Sequence, residues 1–70
     1  MEVNEQIKQL GREVKINRRI KGISRDKLAD MSGVAEMTIA KFEQGKTMPR
    51  LDTICKILSA LGYRISMELK

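Results

Sequence analysis

Histidine and tryptophan are absent from this chain, and cysteine and proline occur once each. Without histidine the commonest group for proton relays near neutral pH is missing. No glycine-rich phosphate loop and no set of carboxylates at metal-ligand spacing takes its place, so the inventory argues against an enzyme, a metal centre or a bound cofactor. A lone Cys55 cannot close an internal disulfide. Placed between Ile54 and Leu58, it reads as a small hydrophobe on the inner side of a helix, with no redox role. Phe42 and Tyr63 are the only aromatic residues, too few for the stacking platform with which single strands of RNA are read. No apolar run reaches the roughly 18 residues of a membrane span, and no charged start leads into an apolar signal core. A cytoplasmic protein is the expectation.

What the chain does have is positive charge: 14 Lys and Arg against 9 Asp and Glu, a net charge of +5 over 70 residues and a pI near 9.7. That balance favours a polyanionic partner. The length allows one small domain, which buries only about 60% of its unfolded surface and gains from oligomerisation.

Helical spacing dominates the order of residues. Val3, Ile7, Leu10 and Val14 step by four, three and four, continued approximately by Ile20, which predicts a first helix from about Val3 to Lys21 with Gly22 as its stop and basic residues on its other faces. Ser24 is a good N-cap for a second helix, although Lys27 stands where a capping box would place Glu. Leu28 and Ala29 fall on its inner face, and Gly33 suits the positive φ of a tight corner better than a ligand contact. Beyond the corner Val34 leads into a third helix on which Ile39 and Phe42 share one face. That helix starts near Ala35 without a side-chain cap, at a cost on the order of 1 kcal/mol. Gly45 and Pro49 bracket a loop, after which Leu51, Ile54, Cys55, Leu58 and Leu61 mark a further helix closed by Gly62.

The stretch from Ile23 to Pro49 thus reads as two short helices joined at a glycine, a helix-turn-helix, the motif that lays its second helix in the DNA major groove. A plain helical hairpin with Met31, Val34, Ile39 and Phe42 as core would account for the apolar residues alone. With Val34, Ile39 and Phe42 inward, the outward face of the third helix holds Glu36, Met37, Ala40, Lys41 and Gln44. Glu36 could accept from cytosine N4, Met37 pack on a thymine methyl, and Lys41 donate to guanine O6 or N7. Glu36 has an equally good role as a solvated or salt-bridged residue, with Arg25 as the partner. Thr38, Lys46, Thr47 and Arg50, together with Gln44, lie where hydroxyl, amide and cationic groups reach phosphate oxygens.

The pattern Leu28-Ala29, Gly33-Val34, Thr38-Ile39, Phe42-Glu43, Gly45 and Pro49 resembles the phage-repressor and Cro-type helix-turn-helix family, also called the xenobiotic-response-element (XRE) family, over about residues 7 to 62. The resemblance implies a mainly α fold, a lambda-repressor-like bundle of four to five helices. It implies that Glu36 and Met37 match the first two base-reading positions and Lys41 a third. It places Arg25 where the family commonly has a glutamine that bonds a phosphate and braces the recognition helix, and Arg50 where repressors carry a loop arginine. Arg18 and Glu43 resemble a structural ion pair between the first helix and the end of the third. Double-stranded DNA is the implied partner, in a transcriptional repressor located with the nucleoid.

The last eight residues change period. Tyr63, Ile65, Met67 and Leu69 alternate with Arg64, Ser66, Glu68 and Lys70, which predicts a β-strand from 63 to 70 beyond the helical body of 1 to 62. A single strand leaves its backbone groups unpaired, so the expected arrangement is antiparallel pairing with the same segment of a second copy. The alternatives are a frayed tail or one lying on its own domain. A homodimer suits two recognition helices roughly 34 Å apart on an inverted repeat. The segment Leu61 to Leu69 also resembles the end of HipB-like antitoxins, which implies as a second possibility an autoregulating antitoxin that neutralises a HipA-type kinase toxin.

Overall fold

Residues 5–63 are described by a computed structural model, in which they form four helices: α1 (Glu5–Ile20), α2 (Arg25–Ser32), α3 (Glu36–Glu43) and α4 (Leu51–Ala60). Val3 and the predicted strand residues Arg64 to Lys70, with Ile65, Met67 and Leu69 among them, lie outside the described residues.

The helix ends follow local chemistry. The Ser24 hydroxyl accepts from the Lys27 amide at 3.1 Å and so satisfies one of the open donors at the start of α2. Gly33 ends α2 at φ 73°, and the space where its Cβ would stand is empty. Positive φ, not crowding, is what requires glycine there. Ala35 precedes α3 with no side-chain bond, as expected. At the end of α4, Gly62 donates to the Ser59 carbonyl at 3.0 Å and Tyr63 to the Leu58 carbonyl at 2.8 Å, the two bonds of a Schellman cap.

One core joins all four helices: Val14 from α1, Leu28 from α2, Ile39 and Phe42 from α3, and Ile54 and Ile57 from α4, with Val34 and Leu61 at the connections. Val34, Ile39 and Phe42 form the expected wedge. Ala29 packs against it, as do Ile7 and Leu10.

Three expected inner positions are corrected. Ile20 is 77% exposed, because it lies six residues past Val14, well off that residue's face; Arg18, four residues on, takes the inner place. Cys55 is exposed, since the burial of Ile54, Ile57 and Leu61 centres the inner face of α4 elsewhere, and one residue past Ile54 is a turn of about 100°. Leu51 at the first turn of α4 is likewise exposed.

Gly11 holds a role that periodicity did not announce. It is buried in the middle of α1, and a Cβ built there would overlap the Phe42 carbonyl oxygen. The α1 backbone therefore packs directly on the end of α3.

Candidate nucleic-acid interface

Full burial of Ile39 and Phe42 fixes the rotation of α3 about its axis. The residues carried to the far side are Met37, 61% exposed, with Lys41 and Gln44. These are spaced by four and three, so they form one continuous stripe down the helix.

Ala40 does not belong to that stripe. It is only 8% exposed, which corrects its placement among the outward residues. It lies four residues after Glu36 and three before Glu43, on the flank that leans toward the body, and a methyl group is too short to project past its neighbours. Glu36, on the same flank, is half-exposed and pairs with Arg25, whose Nε stands 3.6 Å from Oε1. The expected partnership is thus present, joining the first turn of α3 to the first turn of α2.

A second pair fixes the other end of α3. Arg18 donates from Nε to Glu43 Oε2 at 2.8 Å and from Nη2 to Oε1 at 3.0 Å, and from Nη1 to the Ile23 carbonyl at 2.9 Å. The side chains are 10% and 2% exposed. Burying two charges is costly, and a fork-on-fork geometry with every buried polar atom satisfied is what makes it tolerable. Its main result is positional: the C-terminal end of α3 is tied to α1 at a defined angle.

Beyond α3 the chain turns at Gly45, φ 73°, with the Lys46 amide donating to the Lys41 carbonyl at 2.9 Å. Lys46 and Arg50 are exposed on this side, Thr47 half-buried; Arg50 has Asp52 3.5 Å away. Thr38 is half-buried on the opposite flank from Glu36. The exposed residues of α3 and the loop after it thus include Met37, Lys41, Gln44, Lys46 and Arg50, with the Arg25–Glu36 pair at the start of α3.

Tyr63, expected to start the terminal strand, is the last of the described residues. Its hydroxyl donates to Asn17 Oδ1 at 2.8 Å and the Lys21 ammonium lies 5.9 Å from its ring centroid. Lys15 and Arg19 were not singled out beforehand. They line a cleft of about 450 Å³ with Ser24, Arg25 and Gln44, around the Arg18–Glu43 pair. Their spacing of four along α1 was the available signal.

A helix-turn-helix family model matches residues 7–67. An uncharacterized HTH-type transcriptional regulator of Haemophilus influenzae is 44% identical over 46 residues, covering 66% of this chain and 47% of its own length. The SPbeta prophage-derived uncharacterized HTH-type transcriptional regulator YonR of Bacillus subtilis is 35% identical over 60 residues, 86% of this chain and 56% of its own. The chain thus spans about half the length of the curated relatives it matches. Among the described residues no helix is long and apolar enough to cross a membrane.

Proposed function

Because the chain belongs to the helix-turn-helix family, of the XRE type, we propose that it is a transcriptional repressor that binds an inverted-repeat operator as a homodimer and blocks the promoter by occupying it. The observation that carries this reading is the stripe Met37, Lys41 and Gln44 on a helix whose opposite face is locked into the core. A helix held so can enter a major groove without the body following it in.

In this reading Lys41 donates to guanine O6 or N7 and Met37 covers a thymine methyl. Arg25 neutralises Glu36 and turns its remaining N–H groups to a phosphate, so the carboxylate enters the groove without facing the duplex as a bare anion. Gln44, Lys46, Thr47 and Arg50 hold the backbone, and Thr38 contributes a hydroxyl from the flank of the helix; these contacts position the protein and carry no sequence information. The second copy is recruited through residues 63–70, whose alternation supports pairing.

Selecting bound sites from a random oligonucleotide pool tests the reading. It expects a symmetric site with half-sites about one helical turn apart; enrichment of no sequence, or of a single asymmetric site, contradicts it. A second reading rests on the pattern from Leu61 to Leu69: an antitoxin that binds its own operator and a kinase toxin. Co-purification of a larger kinase with the tagged chain would favour it.

A further inference from the structure

We propose that the cleft between the end of α1, the start of α2 and the end of α3 holds a backbone phosphate of the duplex that α3 enters, with Lys15 and Arg19 as its cations. The proposal rests on the DNA-binding reading given above and adds α1 to the contact surface.

The charge of the cleft is the first reason. Its lining carries four cations, Lys15, Arg18, Arg19 and Arg25, against one carboxylate, Glu43. Both oxygens of that carboxylate are taken by Arg18, so the floor is neutral and nearly buried, and it offers an anion no repulsion from Glu43. Among the described residues, neither Lys15 nor Arg19 is in an ion pair. Placed four residues apart on one face of α1, they repel each other across a turn. Two like charges on one face with no ion-pair partner among the described residues form a site that an external anion relieves.

The location is the second reason. Gln44 belongs both to the exposed stripe of α3 and to the rim of the cleft, so the cleft continues the proposed groove-facing surface without a break. Arg25, on the opposite rim, is already pulled toward α3 by Glu36 at 3.6 Å. A strand running past the end of α3 therefore meets Gln44, then the cleft. A volume of about 450 Å³ admits a phosphodiester with bridging water.

The test uses the full chain and a fluorescent duplex of random sequence, since phosphate contacts do not depend on sequence. Binding is followed by anisotropy over a salt series for the wild type, the double variant Lys15→Gln/Arg19→Gln, and Lys56→Gln, an exposed control on α4. Each neutralised phosphate contributes about 0.9 to the slope of log affinity against log salt. The double variant is expected to shallow the slope by about 0.9, the share of one phosphate, with its thermal melt unchanged, while Lys56→Gln leaves the slope in place. A double variant whose slope matches that of the wild type overturns the cleft site and leaves the DNA-binding reading standing. A wild-type chain that binds no duplex overturns both.

Discussion

Replacing Gly11 by alanine sets two effects of opposite sign against each other. In the interior of an exposed helix the change stabilises by about 1 kcal/mol, because glycine loses more backbone freedom on folding. At this position the added methyl would overlap the Phe42 carbonyl oxygen. The obstacle is backbone, and no side-chain rotation relieves it. That carbonyl also accepts from the Gly45 amide at 3.0 Å, so moving it disturbs the turn after α3. Relief requires α1 and α3 to separate, loosening contacts around Val14 and Phe42, both buried. Overpacking of this kind costs about 1 to 3 kcal/mol, with backbone clashes toward the upper end. The net expectation is destabilisation by roughly 2 kcal/mol, a fall in Tm of about 10 °C for a domain this small. Calorimetric or circular-dichroism melts measure it, with duplex affinity falling in parallel as α3 shifts. A Gly11→Ala chain as stable as the wild type, or more so, would refute the backbone contact between α1 and α3.

Other expectations follow from the ion pairs, the outer stripe and the C-terminus. Glu43→Ala strands a buried guanidinium and is expected to cost about 3 to 5 kcal/mol in urea unfolding, whereas Arg18→Met/Glu43→Leu recovers most of that loss because no charge remains unpaired. Equal destabilisation by the single and double changes would contradict the burial of the pair. Lys41→Ala is expected to relax operator choice, with gel shifts showing a larger loss on selected sites than on random DNA; an equal loss on both removes Lys41 from base reading. Deleting residues 64–70 keeps the Tyr63–Asn17 hydrogen bond and is expected to yield a monomer by sedimentation, with weakened operator binding. A truncated chain that still sediments as a dimer sinks the paired-strand proposal.

How legible each feature was depends on the range of the interaction that creates it. Ser24, Gly33 and Gly62 could be placed at helix ends because capping is settled within a few residues. The wedge of Val34, Ile39 and Phe42 follows from helical period, which also assigned Met37 and Lys41 to the opposite side. Ala40 sits near the boundary between faces, where a shift of a few tens of degrees decides exposure and period alone does not give the rotation. Ile20 and Cys55 instead lie about 100° or more from Val14 and Ile54, a departure that a loosely continued apolar pattern conceals. Arg18 and Glu43 are 25 residues apart, and only resemblance to a family joined them beforehand. Gly11 was out of reach for the same reason in stronger form, since its partner is a carbonyl on another helix and backbone atoms leave no mark on side-chain patterns.

The most direct test of the account is backbone-amide NMR of the chain titrated with a duplex bearing a selected site. The account predicts that the largest shifts fall on residues 36 to 44 and the following loop to Arg50, with the amides of α4 little changed. Shifts concentrated on the outer face of α4 around Cys55 and Lys56, with α3 unmoved, would contradict it.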